Sequence, residues 1–157
     1  MMTDETLDLI EQVFEDKREG GYPTEPPAGP EALDGFRACA EEAGLGTLPE
    51  DWIDFLKQSD GLAWNGVTLF GLDQEDDEGE PYARGGLLEF NRRERPADKP
   101  ASRYLLLGHT DVDYLAYDRQ ERIYLALSLA DWSVSATYPD FAAFFQEQAE
   151  MMLGGEA

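Results

Sequence analysis

The residues whose types and spacing would do chemistry are few. His109, Asp111 and Asp113 alternate along the chain, so in an extended conformation their side chains share one side, as a small metal site would need. They also follow Gly108 between two apolar runs, and an ordinary polar turn between strands is the preferred reading. Asp73, Glu75, Asp76, Asp77, Glu78 and Glu80 crowd a short stretch that resembles a calcium loop in composition only. Counted from Asp73, the sixth position is Glu78, where a sharp-turn glycine is needed, and the twelfth is Arg84, where a bidentate acid belongs. Cys39 and His109 would make a nucleophile and base, but Cys39 sits between Ala38 and Ala40 in a helical pattern with no activating neighbour. It reads as a buried structural thiol. A single cysteine forms neither an internal disulfide nor a cysteine-based zinc site, which fits a reducing compartment. Gly61, Gly66 and Gly71 recur every five residues and match neither nucleotide-binding fingerprint. No serine elbow occurs, and with 34 acids, paired carboxylates are not diagnostic. The expectation is a protein without catalytic residues, metal or cofactor.

The elements that must position these residues follow from periodicity. Thr3 caps a helix with Leu7, Ile10, Val13 and Phe14 as its apolar stripe, and Gly20-Gly21 stops it. Residues 22–30 carry four prolines, so they run extended until Pro30 opens a second helix with Leu33, Phe36, Ala40 and Ala43 inward. A third, shorter helix after Leu48-Pro49 places Trp52, Phe55 and Leu56 on one face and stops at Ser59-Asp60-Gly61. Strands are then expected at 67–70, 104–107, 114–117, 123–127 and 132–135, with a turn at 118–122. Pro139 and Asp140 start a last helix with Phe141, Phe144, Phe145, Ala149 and Met152 inward. The predicted fold is α+β: a mainly antiparallel curved sheet of about five strands, covered by N-terminal helices and one C-terminal helix. One domain spans 1–157, with residues 1–29 an N-terminal helix and proline-rich connection and 30–153 the core.

Charge excludes most partners. The chain has 12 Lys and Arg against 34 Asp and Glu, a net of −22, which repels nucleic acid and anionic lipid. With 42% hydrophobic residues it still carries enough apolar side chains for a folded core. The opening Met1-Met2-Thr3-Asp4-Glu5 has no basic region or apolar run, and no stretch reaches membrane-span length, so a cytoplasmic protein is expected. One island is basic: Arg84, Arg92, Arg93, Arg95, Lys99 and Arg103 lie among only three acids, leaving −25 on the rest. Either this island neutralises the 73–80 octet, or the octet faces a cationic partner.

Residues 48–61 (Leu48-Pro49 through Trp52, Phe55-Leu56 and Gly61), followed by Val67-Thr68-Leu69-Phe70-Gly71, resemble the SUKH superfamily. Tyr104-Leu105-Leu106-Leu107-Gly108, Asp113-Tyr114-Leu115-Ala116-Tyr117-Asp118 and the phenylalanine-rich last helix are similar to its later strands and closing helix. Asn91 after Gly86-Leu87-Leu88-Glu89-Phe90 is similar to a segment of its YrhA-like branch. The resemblance covers residues 30–150. Two loci depart from it: the glycine-rich linker holding Trp64-Asn65-Gly66, and the long acidic octet.

That group includes fungal cell-wall-assembly regulators and bacterial immunity proteins. The resemblance therefore implies a non-catalytic binding domain, foremost an immunity protein that neutralises a basic bacterial toxin. Its partner-binding residues are expected among Asp60, Trp64, Asn65, Asp73, Glu75, Asp76, Asp77, Glu78, Glu80, Asp111 and Asp113. An intracellular scaffolding module is the alternative, and a metal-dependent hydrolase using His109 the remote one.

Overall fold

A computed structural model gives the architecture and describes residues 2–42, 48–72, 91 and 103–154. Helix α1 (Asp4–Glu19) begins as its sequence requires, Thr3 Oγ1 accepting the Thr6 N–H at 3.1 Å. It closes over Gly20-Gly21, where Tyr22 N–H reaches back to the Lys17 carbonyl at 3.0 Å and Gly21 N–H to that of Arg18. The inward face of α1 is Thr6, Ile10, Val13 and Lys17, a rotation from the expected stripe that leaves Leu7 at the surface and Phe14 half-buried. The proline-rich connection is an extended strap, tied by Ala28 N–H to the Leu56 carbonyl (2.8 Å) and by Asp60 N–H to that of Pro26 (2.7 Å). Helices α2 (Pro30–Glu42) and α3 (Glu50–Leu56) follow, each opened by a proline, Pro30 at the first helical position and Pro49 at the cap. Cys39 lies on α2.

Among the described residues, six strands form one open sheet in chain order: β1 (Leu62–Trp64), β2 (Val67–Leu69), β3 (Tyr104–His109), β4 (Asp113–Asp118), β5 (Ile123–Ser128) and β6 (Val134–Tyr138). Every neighbouring pair is antiparallel; short connections dictate this for β1–β2, β3–β4, β4–β5 and β5–β6, whereas β2 and β3 pair across the long stretch between Leu69 and Tyr104. The sheet thus has one strand more than expected. The additional strand is β1, which lies in the stretch read as a linker. Asn65 (φ 49°) and Gly66 (φ 89°) form a two-residue turn with both φ values positive, joining it to β2. Asn-Gly is a strong hairpin signal, but a strand of three residues offers no alternation to detect. Strand β6 begins later than the expected 132, because Trp132 itself adopts φ 63° in the preceding loop.

Helix α4 (Phe141–Met152), capped by Asp140 Oδ1 on the Ala143 N–H at 2.9 Å, lies over β2, β5 and β6, and α1 packs on it. Phe141, Phe144 and Phe145 interlock with Trp52 and Phe55 of α3 and with Tyr124 of β5, ring centroids 5.0–6.1 Å apart. Gly61 and Gly71 come together where β1 starts and β2 has ended. A Cβ on Gly71 would stand 2.4 Å from the Asp60 carbonyl oxygen, and one on Gly61 2.6 Å from the Gly71 nitrogen. These two helix- and strand-ending glycines are therefore required by backbone approach.

The Tyr124 hydroxyl is buried, with no hydrogen-bond partner among the described residues. Burial first, then the charges of Asp51, Tyr117 and Asp140, pushes its pKa far above the ordinary phenol value, so it stays neutral. Tyr124→Phe should keep the ring contacts and remove the orphaned group, raising stability by about 1 kcal/mol in urea unfolding. A loss of that size would show instead that the hydroxyl has a partner in solution.

Candidate functional site

A groove of about 760 Å³ opens between the 22–26 strap, the β1–β2 hairpin and the β3–β4 turn. The strands place Leu62, Val67, Leu69 and Phe70 in its lining. Its frame is an ion pair that α1 and the strap deliver to the sheet edge. Lys17 Nζ contacts Glu25 Oε1 at 2.7 Å and donates to the Ala63 carbonyl at 3.0 Å, while Glu25 Oε2 accepts the Ala63 N–H at 2.9 Å. Both outward backbone groups of Ala63, in edge strand β1, are thereby satisfied. The Lys17 side chain is only 6% exposed and that of Glu25 22%, so the pair is held largely away from water.

Asp60 sits at the end of this frame and accepts the Leu72 N–H on Oδ1 at 2.8 Å. Burial pushes its carboxyl above the ordinary carboxylate value; the Leu72 hydrogen bond opposes this and the Glu25 charge adds to the rise. Trp64 is anchored, Nε1 donating to Asp16 Oδ2 at 2.8 Å, with Tyr22 edge-on at 5.3 Å and itself largely exposed. Asn65 at the hairpin tip donates to the Met152 carbonyl, which ties the groove to the end of α4.

Of the residues expected at a partner site, the groove brings together Asp60, Trp64, Asn65 and Asp111. Asp113 lies outside its lining and accepts a hydrogen bond from Ser135 at 2.8 Å. The octet Asp73, Glu75, Asp76, Asp77, Glu78 and Glu80 falls outside the described residues, as do Arg84, Arg92, Arg93, Arg95 and Lys99. Of the basic island, Arg103 is described, and it pairs with Asp118 in a bidentate contact (2.6 and 3.1 Å). The segment from His109 to Asp113 is the β3–β4 turn, with Thr110 Oγ1 accepting the N–H groups of Val112 and Asp113. Among the described residues no three His, Cys, Asp or Glu side chains are grouped to hold a metal ion.

Sequence reasoning missed Lys17, Glu25, Asp16 and Tyr22. One signal was available: Lys17 continues the steps of Ile10 and Val13, so a charged group falls in phase with the buried face and needs a partner there. Glu25 within the proline run had no periodicity to mark it.

Asp118 also organises the β4–β5 turn, Oδ1 accepting from Gln120 (2.9 Å) and Glu121 (3.2 Å). Burial alone would raise its pKa, but the Arg103 hydrogen bonds and the two turn N–H groups outweigh it and hold it below the ordinary 3.8. A depressed folded value means stabilisation that is present above the unfolded pKa and lost as pH falls through the folded one. Asp118→Asn should therefore cost about 1–2 kcal/mol at neutral pH and flatten the acid limb below about pH 4 in a pH series of urea unfolding. A parallel pH curve would contradict this.

The arrangement as a whole suits a basic side chain. Asp60 and Asp111 supply negative charge at an apolar-walled groove whose lining also holds the Tyr22 and Trp64 rings, while Glu25 and Asp16 are committed to Lys17 and Trp64. No protein-family model matches the chain, and comparison with curated proteins finds no match either. No described helix is long and apolar enough to cross a membrane.

Proposed function

We propose that this is a non-catalytic, SUKH-like binding domain of the cytoplasm whose partner is a basic protein, a bacterial toxin or toxin domain that it neutralises. The observation that carries the reading is the groove, whose lining holds Asp60 and Asp111 together with the Trp64 and Tyr22 rings on a chain of net charge −22. Charge of that size steers a cationic protein to the surface, and the groove then takes an arginine or lysine side chain between carboxylate and aromatic faces. The residues that carry the resemblance have physical duties in the fold: Pro49 stands at the N-cap position of α3, Trp52 and Phe55 fill the core, and Gly61 meets Gly71.

Co-expression with the product of the neighbouring reading frame tests this, since an immunity gene commonly lies beside its toxin gene. The expected result is a stoichiometric complex, and toxicity of the neighbour when this chain is omitted. Asp60→Asn with Asp111→Asn retains acceptors for the backbone and removes the charge, and it should weaken the complex at least about tenfold. A harmless neighbour that does not bind would remove the immunity reading.

A further inference from the structure

The two edges of the sheet are treated differently. On β1 the outward N–H and carbonyl of Ala63 are covered by Glu25 and Lys17. On β6 no described strand pairs with the outer edge, and Val134, Ser135 and Thr137 are exposed, Val134 by 51%. The strand reads Val134-Ser135-Ala136-Thr137-Tyr138, β-branched and aromatic in character, with no charged residue and no proline within it. Lysine, proline and charge are among the usual protections of an exposed edge against strand addition, and β6 lacks these three; its irregularity is a register shift against β5 at Ser135.

Its surroundings select what adds. From Ile123 to Ala157 the chain carries Asp131, Asp140, Glu147, Glu150 and Glu156 and not one lysine or arginine. Asp113 reaches β6 through Ser135, and the Tyr138 phenol is pushed up by burial and then by the charges of Glu147 and Asp113. A second copy of this chain would bring another such segment and another −22 against it, so self-pairing is opposed by like charge. An extended basic strand is favoured on both counts.

We propose that β6 is a strand-addition edge that takes an extended, lysine- or arginine-rich segment of the partner protein. Backbone hydrogen bonds give the affinity, and alternate basic side chains meet Asp131, Asp113 and the acids of α4. The inference rests on the cationic-partner reading for the chemistry of its occupant and places that occupant at the edge opposite the groove.

The probe is a synthetic peptide of about ten residues alternating lysine and valine, long enough to pair with a whole strand. Hydrogen exchange of the full chain should show new protection confined to residues 134–138. The same peptide N-methylated at alternate nitrogens keeps its charge and loses its strand pairing, and should bind at least about tenfold more weakly. Equal binding of the methylated peptide, protection at the β1–β2 hairpin instead of β6, or no binding would each overturn the strand-addition site. A glutamate-valine peptide separates the two readings: if it added to β6 as well as the lysine peptide does, the edge would accept strands while the cationic-partner reading failed. Sedimentation showing β6-dependent dimers of the chain alone would identify a second copy as the occupant and overturn the proposal.

Discussion

Glu25→Ala should lower the unfolding free energy by about 3 kcal/mol, because it strands the Lys17 ammonium in a site 6% exposed and leaves the Ala63 N–H unpaired. The cost arises from the uncompensated charge more than from the lost attraction. Replacing both partners, Lys17→Met with Glu25→Leu, removes the stranded charge and should therefore recover about half of the loss, the remainder being the Ala63 N–H and carbonyl left without their partners. Urea unfolding of Lys17→Met, Glu25→Leu and the double variant closes the cycle and gives the coupling directly. The double variant should still expose the edge of β1, visible as faster hydrogen exchange at Ala63. A single-variant cost below about 0.5 kcal/mol, the range of a solvent-screened pair, would mean that this ion pair does not frame the groove.

Phe144→Ala is expected to be at least as damaging, at about 3–5 kcal/mol. The ring is fully buried and stacks on Tyr124 at 5.0 Å, with Tyr138 and Phe141 against its edges at 5.7 and 6.1 Å. It joins α4 to both β5 and β6, so the cavity cannot close without moving a helix against the sheet. Against a total stability of about 5–15 kcal/mol for a domain of this kind, that loss should lower the thermal midpoint by about 6–20 °C. Phe144→Leu should cost less than half as much, because a branched aliphatic chain refills part of the volume. Equal destabilisation by Leu and Ala would point to ring stacking rather than cavity volume as the dominant contribution.

The elements most legible in the sequence were those with local chemistry at their ends. Thr3, Pro30, Pro49 and Asp140 each mark a helix start that a cap or a fixed φ explains, and the phenylalanines of α4 fall inward at helical spacing. The apolar runs at β3 and β5 were equally plain, since strands buried on both faces need no alternation, and β4 followed from its own short apolar run between them. What escaped was short or non-local. β1 is three residues between glycines, and its identity depends on pairing Leu62 with Leu69 across a turn. The groove depends on Lys17 meeting Glu25 through a proline-rich strap whose path no periodicity encodes. Asp60, Trp64, Asn65 and Asp111 were selected for charge and composition, and it is the strap and hairpin that bring them to one cavity.

The proposed capture of a basic protein by this acidic surface makes a kinetic prediction. Association kinetics with the product of the neighbouring reading frame, measured across a range of ionic strength, test it most directly. Steering by a chain of charge −22 predicts an association rate that falls at least about tenfold between roughly 0.05 and 0.5 M salt, with a much smaller change in dissociation. An association rate independent of salt, or no association at any ionic strength, would contradict the account.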